Sequence, residues 1–276
     1  MQDPTYRKSL TKISFTVLLF SAVSLTVAFA GGSSKGDPQT FGAYQIDLDS
    51  GPVGITVQGH SATQVVTVSE ENIPSDIEIH YTEGGGILHV TATYANGAKA
   101  TDPSTPTARL VATMPRYEFV HITTTSGEVS IDNLSTDHLT IQTGTGAIKV
   151  VNTNAALKAQ STSGAQSYTQ IYGSIDAAST GGSLLVDNTW GTMKLASTTG
   201  SLVGKNIAVA GDSSFHTTSG TITMGLTYGL SRYTFDIRST SGNLKLGDIA
   251  QTGAIRWGNG NIRITSVSET GTQDFQ

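Results

Sequence analysis

Residues 123–131 read Thr123-Thr124-Thr125-Ser126-Gly127-Glu128-Val129-Ser130-Ile131: a hydroxyl-rich run, a glycine, then apolar and polar residues in alternation. The run returns in kind down to Ser239-Thr240-Ser241-Gly242-Asn243-Leu244. Its glycines are Gly127, Gly146, Gly164, Gly182, Gly200, Gly220, Gly242 and Gly260, separated by 19, 18, 18, 18, 20, 22 and 18 residues. Thr stands two before the glycine in six of the eight repeats, and Ser or Thr three before it in seven, with Trp257 the exception. Apolar pairs keep fixed places two and four after it, as in Val129/Ile131 and Leu184/Val186, and seven and five before it, as in Val120/Ile122 and Phe235/Ile237.

Alternation with a period of two is the strand signal, and a fixed period near 20 residues is the solenoid signal. Each repeat supplies two short strands with inward apolar side chains, and the glycine allows a tight corner. One repeat cannot bury its apolar face alone; stacking on a neighbour does. The expected fold is therefore all-β: a β-solenoid of about eight 18–22-residue coils over residues 116–266. At about 4.8 Å per rung it is a rod of about 38 Å. Asn133, Asn152, Asn188 and Asn206 recur six after the glycine and are expected as a structural ladder of stacked amides at an inside corner.

The repeat has defects. Gln166 and Tyr168 fill slots that are apolar elsewhere, Gly204 and Ser213 fill two more, and the longer spacings place extra residues at 208–211 and 226–231. Insertions in repeat proteins gather on one side and carry binding surface. The binding patch is accordingly expected at Tyr228 and Tyr233, with Tyr168 and Tyr172 in the irregular coil.

Upstream, residues 41–115 keep the β pattern without the repeat and are expected to cap the first coil, with a separate binding domain as the alternative. Glu83-Gly84-Gly85-Gly86 reads as a hairpin turn. Residues 31–40 read as a flexible leader and 267–276 as a tail. The first thirty residues have the form of a signal peptide: Arg7, Lys8 and Lys12, an apolar stretch over 13–29, and Ala28-Phe29-Ala30 before an expected cut at Gly31. The protein is then exported to the periplasm, the cell surface or the medium, without an integral span. The chain carries 16 Lys+Arg against 21 Asp+Glu; with three of the former and one of the latter in residues 1–30, the remainder carries −7. That balance argues against nucleic acid as a partner.

No cysteine is present, which removes disulfides, thiolate nucleophiles and thiolate metal sites. Asp132 and Asp187 share an offset three coils apart, roughly 14 Å at the rung spacing, as do Asp176 and Asp236. Arg232, Arg238, Arg256 and Arg263 gather near the C-terminus without a matching acidic set. His80 and His89 would face each other across a four-residue turn, with His121 as the nearest third ligand; two ligands are too few for a metal. No catalytic, cofactor-binding or metal residue is assigned.

Taken together, 123–131 with its returns, Gly86-Ile87-Leu88-His89-Val90 and Leu110-Val111-Ala112-Thr113-Met114-Pro115 resemble the bacterial "putative adhesin" family of β-strand-repeat proteins over roughly residues 41–264. The resemblance implies a right-handed β-helix-like fold and an envelope or surface location, and brings no catalytic residues. The expected function is a non-enzymatic module that meets a protein or glycan ligand at the surface. A carbohydrate-active β-helix enzyme and an envelope-stress accessory with a regulatory or membrane partner are the alternatives.

Overall fold

The computed structural model describes residues 26–28, 37–96, 107–116 and 119–276, and within them the only helical element is one 3-10 turn, Leu230–Arg232. The rest of the expected signal peptide and leader lies outside the described residues. The protein is an all-β solenoid. Through its middle, each strand pairs in parallel with the strand one repeat away, and the register equals the glycine spacing. Leu139 faces Val120, Leu157 faces Leu139, Ile175 faces Leu157 and Met193 faces Ile175. Inward alternation places Ile122, Ile141, Ala159, Ala177 and Leu195 in one continuous core.

The corner is built from the hydroxyl three before the glycine. Thr124, Thr143, Ser161, Ser179, Ser197, Thr217 and Ser239 are all buried. The Gly146 N–H donates to Thr143 Oγ1 (3.0 Å), Gly182 to Ser179 Oγ (2.8 Å), Gly200 to Ser197 Oγ (2.9 Å) and Gly220 to Thr217 Oγ1 (3.0 Å). Hydroxyls also link between rungs, Ser161 Oγ donating to Ser179 Oγ at 3.1 Å. These bonds satisfy backbone and side-chain polar groups that would otherwise be buried unpaired. The motif begins before the repeat was read to begin: Ser50 is fully buried and its Oγ donates to the Val53 carbonyl at 2.7 Å.

The asparagines do a different job from the one expected. Asn133, Asn152, Asn188 and Asn206 all have positive φ (58°, 48°, 49° and 51°), and Gln170 takes the same conformation (56°) in the intervening coil. Asn152, Asn188 and Asn206 are exposed, so the column lies on the outer surface and not at an inside corner. One amide–amide bond is formed, Asn152 Nδ2 to Asn133 Oδ1 at 3.2 Å. Asparagine recurs because it tolerates the left-handed conformation. Asn188→Ala is expected to lower stability by about 1 kcal/mol and Asn188→Gly to be neutral within a few tenths. Thermal unfolding of the two variants checks this, and equal losses in both would assign the effect to the lost amide.

At both ends the order in space departs from the order in sequence. Strands Gln45–Gly51 and Gly54–Gly59 lie between Phe119–Thr124 and Val129–Asp132 on one side and Ile87–Tyr94 and Arg109–Met114 on the other, all in parallel. Residues 41–115 thus supply parallel rungs of the stack as well as its cover. The cover is antiparallel: Ile77–Gly84 on Ile87–Tyr94, and Val66–Glu71 on Arg109–Met114. Thr26–Ala28 pairs in turn with Ile77–Gly84.

The C-terminal end repeats this plan. Ile262–Ser268 and Gln273–Phe275 insert between the rung of Ser213–Thr217 and Ile222–Leu226 and the long strand Tyr233–Leu246, and Ile249–Trp257 covers the latter in antiparallel fashion. Gly260 is therefore not a corner glycine. Gly271 is: a Cβ on it would overlap the Gly220 carbonyl, and one on Gly242 would overlap that of Gly271. Ser268 supplies the corner hydroxyl, donating to the Gly271 carbonyl at 2.8 Å. Each end places a chain-terminal rung one layer in and folds a hairpin over it, so that no parallel edge is left bare among the described strands.

Candidate functional site

The four tyrosines expected at the surface do not come together. Tyr168 and Tyr233 are fully buried. Tyr168 occupies an inward slot with its hydroxyl donating to Gln166 Oε1 (2.5 Å), and burial holds its phenol well above the ordinary range. Tyr233 packs edge-on to Phe235, ring centroids 5.9 Å apart. Tyr228 is exposed beside the 3-10 turn, with the Arg232 guanidinium 4.5 Å from its ring centroid. Tyr172 is 52% exposed on a different face of the stack.

Tyr172 has an aromatic partner. Trp190, 50% exposed, is its register partner on the next rung. Both stand eight after their corner glycine. The column is continuous: the Ser135 N–H donates to the Arg116 carbonyl, Ser135 pairs with Asn154, Asn154 with Tyr172, Tyr172 with Trp190, and Trp190 with Ala208. The corner following each aromatic is fixed by Gly173 and Gly191, where a Cβ on Gly191 would overlap the Gly173 carbonyl. Two large apolar rings are thus held out into solvent by one of the most tightly packed parts of the backbone.

Beside the aromatics lies a groove of about 460 Å³, whose polar lining includes Ser174, Asp176, Thr192, Lys194, Asp212 and Arg263. Ser174 and Thr192 are two residues beyond Tyr172 and Trp190. The insertion at 208–211 opens the groove, because Ser213 Oγ accepts from the Met193 N–H (2.9 Å) while Asp212 stays outside. The returning strand closes it, the Arg263 N–H donating to Asp212 Oδ1 at 2.9 Å. Lys194 Nζ is 3.6 Å from Asp176 Oδ2. Hydroxyls and balanced charges next to exposed rings suit a polar ligand with apolar faces, which is the character of a sugar.

Two expectations about chemistry change. Two of the C-terminal arginines do have an acidic partner, because the hairpin of Tyr233–Leu246 and Ile249–Trp257 brings them to Asp236. Arg238 makes a two-point pair with Asp236 (2.7 and 2.6 Å) and Arg256 lies 3.8 Å from the same carboxylate, whereas Asp212 is met by the backbone N–H of Arg263. The Arg238 guanidinium holds the Asp236 carboxyl below the ordinary range, so that it remains a carboxylate and not a proton donor. The histidine geometry also differs. The turn has two residues, Gly85 and Gly86, each with positive φ, so Thr82 and not His80 faces His89. His89 and His121 instead flank Asp47, with His89 Nδ1 3.2 Å from Asp47 Oδ2. Among the described residues no three His, Asp or Glu side chains converge as metal ligands. Asp176 and Asp212 lie two rungs apart and two residues out of register, about 12 Å, with Lys194 on the rung between; glycosidase carboxylate pairs stand about 5–9.5 Å apart with room for a water or a sugar. Among the described residues no helix is long and apolar enough to cross a membrane.

The family profile described as Toastrack DUF4097 matches residues 46–188. A solved structure from Parabacteroides distasonis ATCC 8503, named "putative lipid binding protein", is 14% identical with a TM-score of 0.51, covering 87% of this chain and 98% of its own. One from Bacteroides fragilis NCTC 9343, named "putative adhesin", is 14% identical with a TM-score of 0.42, covering 89% and 98%. The first of these supports the fold alone. No curated protein matches the chain.

Proposed function

The chain belongs to the Toastrack DUF4097 family, and from that premise we propose that it is an exported, non-enzymatic adhesin-like module that meets a glycan through the face carrying Tyr172 and Trp190. The reading includes a right-handed solenoid of about eight coils and cleavage before Gly31. One observation carries it: two large aromatic side chains, each about half exposed, stand on adjacent rungs beside a polar groove of about 460 Å³. Exposed aromatic pairs are costly to solubility and are used where an apolar ring face is to be stacked upon. The family resemblance agrees with an adhesin-like role without fixing the ligand.

Trp190→Ala is expected to lower retention on an immobilised polysaccharide panel by at least about tenfold, the worth of one stacked ring of roughly 1.4 kcal/mol. Its melting temperature should stay within a degree or two, because the ring is half out of the protein. Retention equal to the unmodified protein on every glycan that binds would sink this reading. Release of reducing ends or unsaturated products from the same panel would replace it with the enzyme reading, for which Asp176 and Asp212 are the first residues to substitute.

A further inference from the structure

The aromatic column ends in a cleft that the groove does not explain. Arg116, Ser135, Asn152, Asn154 and Tyr172 line a pocket of about 180 Å³ on the far side of Tyr172 from Trp190. Arg116 is half-buried, and its Nε is shut off from solvent without a hydrogen-bond partner among the described residues. That is an expensive arrangement. A buried donor left unpaired costs about 1–3 kcal/mol, more when charged, and the great majority of such groups in folded proteins are satisfied. Ser135, Asn152 and Asn154 surround the cleft with hydroxyl and amide groups, and among the described residues no acidic side chain lines it.

Arg116 lines this cleft, and a guanidinium is suited to a planar or tetrahedral anion, which it binds through two parallel N–H bonds. The same cleft is bordered by Tyr172, whose ring leads on to Trp190 one rung away, about 4.8 Å. We propose that this column is a subsite for an acidic glycan: a uronate carboxylate or a sugar sulfate pairs with Arg116 while the sugar rings lie along Tyr172 and Trp190. The proposal rests on the aromatic face being the ligand surface, and adds to it the charge of the ligand and the residue that reads it. The protein's net negative charge sharpens the point, since a polyanion would be repelled elsewhere and held only where a cation is built in.

The test is affinity electrophoresis of the protein through gels containing oligogalacturonate, dextran sulfate or neutral dextran. The unmodified protein is expected to be retarded at least about tenfold more strongly by one of the two acidic polymers than by neutral dextran, and the preference to weaken as salt is raised. Arg116→Gln is expected to abolish that preference while leaving any neutral-glycan binding and the melting temperature in place; Arg116→Lys should restore part of it. Tyr172→Ala with Trp190→Ala should remove binding to all three. Equal retardation of the unmodified protein by acidic and neutral polymers, an unchanged preference in Arg116→Gln, or no retardation by either acidic polymer overturns the acidic subsite. Unaltered binding in the doubly substituted aromatic variant overturns the aromatic face itself, and so tells the two readings apart.

Discussion

Gly182→Ala is expected to lower stability by at least about 3 kcal/mol, with a fall in melting temperature of roughly 6–12 °C. The added Cβ would lie inside the carbonyl group of Gly164 and against Ser179 Oγ, and the carbonyl of Gly182 is itself what the next corner glycine, Gly200, approaches. Neither neighbour is the far end of a flexible side chain. Relief therefore requires separating two rungs, which breaks the Gly182 N–H to Ser179 bond and the Ser161 to Ser179 link. The loss should propagate, because in a stacked array each rung is stabilised by its neighbours. Gly229→Ala supplies the control: its φ is −55°, nothing lies within 4 Å of the added methyl, and the change is expected to be neutral or to stabilise by about 0.4–1 kcal/mol. Melting followed by far-ultraviolet circular dichroism separates the two. A Gly182→Ala protein that melts with the unmodified one would mean that the corner column is not close-packed.

That corner is also why the middle of the fold was legible in sequence. Only glycine fits where one rung's Cα meets the next rung's carbonyl, and only a short hydroxyl side chain fits inside the turn, so both recur at a fixed distance. Where chain order and spatial order part company, the same motif misleads. Gly260 keeps the 18-residue spacing but not the hydroxyl, since Trp257 stands three before it, and it abuts Arg232 and Tyr233 instead of a corner. Ser268 and Gly271 keep the hydroxyl and lose the spacing because their rung inserts between two earlier ones. The early exception at Trp257 was the visible sign.

The surface was legible only in part, for a reason of parity. Counting by twos from Gly164 puts Gln166 and Tyr168 inward, where they are, and would put Tyr172 inward as well. The left-handed residue at Gln170 resets the alternation: Ile171 turns into the core and Tyr172 out of it. The recurrence of an aromatic eight after Gly164 and Gly182 could have found the Tyr172–Trp190 pair. Arg116 could not have been found so, because its place depends on a rung that follows a long excursion and on a side chain's missing partner, neither of which has a sequence signature.

Gln166→Ala is expected to cost about 3–5 kcal/mol, although the slot it fills is apolar in other coils. The side chain is 1% exposed and makes three bonds: its Nε2 donates to Ser161 Oγ (2.8 Å) and to the Ala178 carbonyl (2.8 Å), and its Oε1 accepts from the Tyr168 hydroxyl. Truncation strands the Tyr168 hydroxyl in a fully buried position, at about 1–3 kcal/mol for the unpaired group, and leaves a cavity of several methylenes besides. The cost is one of incompleteness and not of lost attraction, so removing the partner as well should recover much of it. Gln166→Leu with Tyr168→Phe restores the apolar pattern of the neighbouring coils and is expected to lie within about 1.5 kcal/mol of the unmodified protein. Gln166→Leu alone should be clearly worse than the pair, giving a coupling of at least about 1 kcal/mol in the double-mutant cycle. Gln273 repeats the arrangement two after Gly271, bonded to Ser266, Ser268 and the Arg238 carbonyl, so Gln273→Ala should behave alike. If the single and double substitutions at 166 and 168 proved additive, the glutamine would be filling space, and the buried polar bridge would not be what holds that coil to its neighbours.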